Sequence, residues 1–125
     1  MHSDVTLFMA DTIRIYHNPR CSKSRQTLEL LQAKHLQTDV IEYLNAPPSM
    51  AELERILKML GLQPRQLMRT KESEYKDLGL DNPRLSNKQL LKAMVEHPKL
   101  IERPIVVCNG KAAIGRPPEA VLEIL

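Results

Sequence analysis

The sequence predicts an α/β fold: a four-stranded mixed sheet with helices on its faces and a helical insertion between its βαβ and ββα halves. Three observations carry this reading. An alternating β-branched run, a helical stretch and a second β-rich run follow one another from Ile13 to Leu44. No strand candidate occurs between Ser49 and His97. Near the end, Asn109-Gly110 separates two apolar runs, the strongest short-range hairpin signal a sequence can carry.

The elements follow in order. "IRIYH", Ile13 to His17, is short, β-branched and alternating, and it reads as a strand closed by Pro19. A helix is predicted from about Ser22, with Leu28, Leu31 and Ala33 at helical spacing. "TDVIEYL", Thr38 to Leu44, is the second strand; the intervening helix makes the pair parallel, a right-handed βαβ unit. The helical block opens on a capping box at Ser49 and Glu52, places Leu53, Ile56, Leu57 and Leu60 on one face, and stops at Gly61. Pro64 suits a first helical turn, a short helix runs to Gly79, and a second capping box at Ser86 and Gln89 starts a helix that ends before Pro98. Strands are predicted at Ile105–Cys108 and Lys111–Ile114, and "RPPEAVLEIL" closes the chain as a helix with prolines in its first turn. This order is thioredoxin-like, with a helical insertion at about 49–97 inside a single domain spanning 13–125 and a flexible start over 1–12.

Composition narrows the function classes. The chain has 125 residues, 42% hydrophobic and 26% charged, within the ordinary globular range. A net charge of +3 is too small and too dispersed for a nucleic-acid surface, and 3% aromatic residues leave no stacking platform. The apolar run near the N-terminus is too short for a membrane span or a signal peptide, so a cytoplasmic setting is expected. Two cysteines make neither a disulfide scaffold nor a zinc site, and no metal is expected.

The chemistry concentrates in "YHNPRCSKSR", Tyr16 to Arg25. Cys21 falls at the strand-to-helix turn, where free amide N–H groups and neighbouring cations stabilise a thiolate and can cradle an oxyanion. Cys108 continues an apolar strand and reads as core. Counting from Pro104, it lies about 13 Å along its strand from the Cys21 turn, whereas a disulfide needs Cα atoms within about 7 Å. Ser24 occupies the second position of what would be a Cys-x-x-Cys pair, so any resolving thiol comes from outside. Three arginines each stand at the end of an element beside a breaker or a turn: Arg69 in "QLMR", Arg103 before Pro104 and Arg116 before Pro117. Their planar forks match tetrahedral oxyanions. In a thioredoxin-like layout the residue before a strand-opening proline, often cis, faces the active cysteine; that residue is Arg103. Arg116 has the weaker geometric support.

The segments "YHNPRCSKSRQTLELL", "YLNAPPSMAELERILKMLG", "LMRTKESEYKDLGL", "HPKLIERPIVV" and "GRPPEAVLEIL" closely resemble the ArsC family of glutaredoxin-linked arsenate reductases. They run in family order over nearly the whole chain from Ile13. The resemblance implies that Cys21 attacks arsenate and forms an arsenic adduct, that glutathione as co-substrate reduces it, and that glutaredoxin recycles the enzyme. It makes Arg69, Arg103 and Arg116 the oxyanion-binding arginines, gives His17 the lowering of the cysteine pKa, and gives Ser24 a hydrogen bond to the thiolate. No bound cofactor, nucleic-acid partner or membrane contact is implied, and nothing demands a dimer, so a monomer is expected. Ser22-Lys23 follow Cys21 where well-studied arsenate reductases carry Gly-Thr, and the chain lacks the C-terminal extension of some members; both features resemble a short housekeeping subgroup. Two other roles fit parts of the pattern: a Spx-like thiol-based transcriptional regulator, disfavoured by Ser24 and Arg116-Pro117, and a general glutathione-linked thiol oxidoreductase, which would leave three arginines without use.

Overall fold

The structure, a computed structural model, describes residues 13–34 and 37–125. The expected flexible start over 1–12 lies outside the described residues. The chain divides into two compact units, one reaching from the N-terminal part to Glu42 and resuming at Arg103–Leu125, the other spanning Tyr43–Glu102.

The first unit contains the sheet. Strand β1 is Ile13–His17, helix α1 is Ser22–Ala33, and β2 is Thr38–Glu42. The second strand stops two residues earlier than predicted because Tyr43 and Leu44 enter a turn. Strands β3, Ile105–Cys108, and β4, Lys111–Ile114, coincide with their predicted limits. The sheet order is β2-β1-β3-β4. β1 and β2 run parallel with Ile13 opposite Thr38, while β3 lies antiparallel to β1 with Ile13 opposite Cys108 and Tyr16 opposite Ile105. The hairpin turns at Asn109 and Gly110, both in left-handed conformation (φ 54° and 75°), as a tight primed-type hairpin requires. A mixed four-stranded sheet of this order is the thioredoxin-like architecture the sequence predicts.

One core cluster binds this unit: Ile13 and Ile15 of β1, Leu31 of α1, Val106 and Cys108 of β3, and Val121. Val121 belongs to the closing segment Pro118–Ile124, where the expected helix takes the 3-10 form. On α1 the buried residues are Ser24, Thr27 and Leu31, while Leu28 is partly buried and Ala33 is exposed. The buried stripe of this helix is therefore polar near its N-terminus and apolar further on, a pattern that the search for apolar spacing passes over.

The second unit is helical, as predicted: α2 (Met50–Leu60), α3 (Pro64–Leu67), α4 (Ser73–Asp77) and α5 (Asn87–Glu96), followed by a 3-10 turn at Pro98–Leu100. Ser49 Oγ accepts the Glu52 N–H at 3.1 Å, and Gly61 closes α2 in left-handed conformation. Ser86 and Gln89 form a reciprocal capping box on α5. Arg65 fastens the segment after α4, donating to the Tyr75 hydroxyl at 2.6 Å, to the Leu80 carbonyl, and to the Asn82 carbonyl at 3.0 Å. Among the described residues no helix is long and apolar enough to cross a membrane.

Candidate active site

The site grows from the turn that joins β1 to α1. Asn18-Pro19-Arg20-Cys21 is a β-turn in which the Cys21 N–H donates to the Asn18 carbonyl at 3.0 Å, with proline at the second position, where its fixed φ is already right. Asn18 holds the loop in two further ways. Its Oδ1 accepts the Arg20 N–H at 3.0 Å, and its own N–H donates to Ser24 Oγ at 3.0 Å. Arg25 reaches back to donate to the Pro19 carbonyl at 2.9 Å. Asn18 was not singled out from the sequence, although Asn-Pro is a recognised turn opener whose side chain bonds its own backbone two residues on.

Cys21 is the N-cap of α1, in extended conformation, 8% exposed. Burial by itself pushes its thiol pKa up. The backbone N–H of Ser24, the Arg103 guanidinium, the backbone N–H of Lys23 and the Arg116 guanidinium outweigh that, and the thiol titrates below its ordinary range. Arg116 touches it, with Nη2 at 3.5 Å from Sγ. Arg116 is itself oriented by its Nε, which donates to the Arg103 carbonyl at 2.8 Å. The two arginines are thus one assembly: the main chain of Arg103 aims the side chain of Arg116. The arginine with the weaker support from sequence reaches the sulfur, because its placement depends on the hairpin returning its far end to Arg103.

The resemblance implies that His17 and Ser24 act on the thiolate, and the structure joins these two side chains at the base of the turn. The Ser24 hydroxyl, fully buried, lies 2.6 Å from His17 Nδ1 and also accepts the Asn18 N–H. The stabilising contribution of Ser24 to Cys21 comes from its backbone N–H. The pKa of His17 is lowered, by burial first, with Glu42 opposing and Arg25 adding to the decrease. Bonded to Ser24, His17 anchors the turn at its base.

Arg69 stands in the second unit. Its N–H donates to the Leu100 carbonyl at 2.7 Å, and Nη1 lies 3.4 Å from both Glu72 Oε1 and the Lys99 carbonyl. An adjoining β-bridge between Met68 and Ile101 fixes the local backbone. Cys108 is buried in the core opposite Ile13, at the end of β1 remote from His17 and the turn, and both cysteines are free thiols. Among the described residues no cluster of three or more His, Cys, Asp or Glu side chains could hold a metal ion.

A site of this kind can stabilise a thiolate, accept an oxyanion between amide N–H groups and guanidinium forks, and carry out attack by sulfur on the bound anion. The ArsC family model matches residues 16–124. The chain belongs to the ArsC family. This ArsC-family chain is 56% identical over 115 residues to an arsenate reductase of Haemophilus influenzae, an alignment covering 91% of this chain and 99% of the relative. It is 55% identical over 118 residues to the uncharacterized protein YfgD of Escherichia coli, covering 94% and 99% respectively. Its fold superposes on the solved arsenate reductase of Vibrio cholerae with a TM-score of 0.90 at 57% identity, covering 93% of this chain and 99% of that one.

Proposed function

We propose that this protein reduces arsenate to arsenite through a covalent Cys21–arsenic intermediate, with glutathione as the reducing thiol and glutaredoxin as the recycling partner. The observation that carries the reading is the Arg116 guanidinium 3.5 Å from a thiol whose pKa is lowered by amides and arginines. Close relatives that bear the name arsenate reductase supply the substrate.

Arsenate is a tetrahedral oxyanion, and the forks of Arg103 and Arg116 beside the α1 amides match its charge and shape. Arg69 is assigned to the same anion by its position in the family motif. The Cys21 thiolate attacks arsenic and one arsenate oxygen, protonated, leaves as water. Glutathione sulfur then attacks the Cys21 sulfur, the arsenic–sulfur bond breaks, and its electron pair stays on arsenic. Arsenic has then gained two electrons, arsenite departs, and the two sulfurs are joined as a mixed disulfide. Glutaredoxin reduces that disulfide and frees Cys21. An external thiol is required because Cys108 is buried at the other end of β1.

The test is arsenite production by purified protein with arsenate, glutathione, glutaredoxin and an NADPH-linked recycling system. Wild-type protein should turn over and Cys21→Ser should not. Absence of turnover by folded wild-type protein would overturn the reading.

A further inference from the structure

Three segments of the first unit converge on one residue outside the candidate site, Gly115. They are helix α1, which bears Cys21 at its cap; the Arg103-Pro104 entrance to β3; and the β4 exit, which bears Arg116. Gly115 is buried, and its N–H donates to the Pro104 carbonyl at 3.0 Å, one step beyond the β3–β4 ladder. A Cβ at this position would lie 2.4 Å from Thr27 Oγ1, 2.8 Å from Pro104 Cγ and 3.1 Å from Thr27 Cγ2. Nothing about its φ demands glycine. The requirement is close approach: a methyl group would need α1, Pro104 or the β4 exit to move.

Neither neighbour can yield easily. Thr27 is fully buried on α1 and its hydroxyl donates to the Lys23 carbonyl at 2.8 Å, which places it on the turn of helix that follows Cys21. Pro104 is a rigid ring directly after Arg103, the residue whose carbonyl aims Arg116. The next residue after Gly115 is Arg116 itself. The three other glycines, Gly61, Gly79 and Gly110, have no atom within 4 Å of a notional Cβ and serve turns with positive φ. Gly115 alone among them is required for contact.

We propose that Gly115 is a positioning residue for the anion site: the absence of a side chain there sets how closely the β4 exit, which bears Arg116, approaches the Cys21 thiol, and thereby the reactivity of the thiol and the site's affinity for an oxyanion. This rests on the proposed function for its biological meaning, but its test does not need arsenate turnover. The experiment follows the pH dependence of Cys21 alkylation by iodoacetamide, quantified on the Cys21 peptide by mass spectrometry, and its protection by inorganic arsenate. It compares wild type, Gly115→Ala, Arg116→Ala and the double variant, with thermal melting run in parallel.

Gly115→Ala should raise the midpoint pH of alkylation by about half a unit to one unit, since an opposite charge a few ångströms away is worth roughly one to three units. The arsenate concentration needed for half-protection should rise roughly tenfold, as expected when charge-assisted contacts are lengthened. The added effect of Gly115→Ala should largely disappear in the Arg116→Ala background, because Gly115 acts through that guanidinium. If Gly115→Ala does not fold, Gly115→Ala/Thr27→Ala removes two of the three close atoms and leaves the one on Pro104; its midpoint and protection should still be displaced relative to Thr27→Ala. A folded variant with a wild-type midpoint and wild-type protection overturns the proposal, even if its melting temperature falls. So does a shift of equal size with and without Arg116.

Discussion

At the scale of single residues, the site depends on charge placement around one sulfur. Because the folded-state pKa of Cys21 is lowered, its alkylation should reach half-maximal rate at a lower pH in the folded protein than in the urea-unfolded chain. Arg116→Lys retains the charge but loses the fork and the Nε bond to the Arg103 carbonyl. The midpoint should move upward and kcat/KM should fall on the order of tenfold, read by alkylation and by arsenite formation; an unchanged midpoint would remove Arg116 from the site. His17 gives a prediction of a different kind. Its folded-state pKa lies below the unfolded value of about 6.5, so between the two values the unfolded chain binds more protons. Stability therefore rises with pH through that window and is lost as pH falls through it. Melting temperature should decline as pH is lowered below about 6.5, and His17→Asn should flatten that decline. An acid slope identical in the variant would assign the protons elsewhere.

At the scale of elements, α1 connects the chemistry to the core. Its cap is Cys21, its buried stripe continues through Ser24 and Thr27, and Leu31 enters the cluster formed with Ile13, Ile15 and Val106. Leu31→Ala should cost about 2–5 kcal/mol in urea unfolding, the usual range for deleting a fully buried leucine. Ser86→Ala removes the acceptor of the Gln89 N–H at the start of α5 and should cost about 1 kcal/mol. The contrast separates a helix anchored through its side-chain stripe from one whose start is fixed by a cap. The β1 turn shows the same logic within the site: Asn18, Ser24 and His17 bond one another, so the loop carrying Cys21 is held from its base, while the charges that act on the sulfur come from the helix amides and the β3 and β4 segments.

At the scale of the whole molecule, the sheet-containing unit carries the thiol and two arginines, and the helical unit carries Arg69. On the role the family motif implies for Arg69, Arg69→Ala should raise the KM for arsenate several-fold. An unchanged KM would remove Arg69 from the oxyanion-binding arginines. Cys108→Ser should retain turnover once folded. Its sulfur faces the core at the end of β1 opposite the turn, about 13 Å along a five-residue strand, too far for a disulfide with Cys21. Comparable loss of activity in folded Cys108→Ser would contradict that geometry.

Local physics determined much of this protein in advance. Alternating β-branched residues, Asn-Gly, Ser-x-x-Gln and Pro at a first helical turn each act within a few residues, and the strand limits at Ile105–Cys108 and Lys111–Ile114 and the caps of the helical unit follow from them. The placement of Cys21 at a helix start was legible for the same reason. The tertiary structure decided what depends on distant segments meeting. The 3-10 form of Pro118–Ile124, the exposure of Ala33, the bond between Ser24 and His17, the direct contact of Arg116 with sulfur and the need for glycine at 115 all belong to that group. Arg116 is separated from Cys21 by 95 residues, and its guanidinium reaches the sulfur because β3 and β4 return it to the Arg103 carbonyl. No local spacing encodes that approach; packing across the sheet sets it.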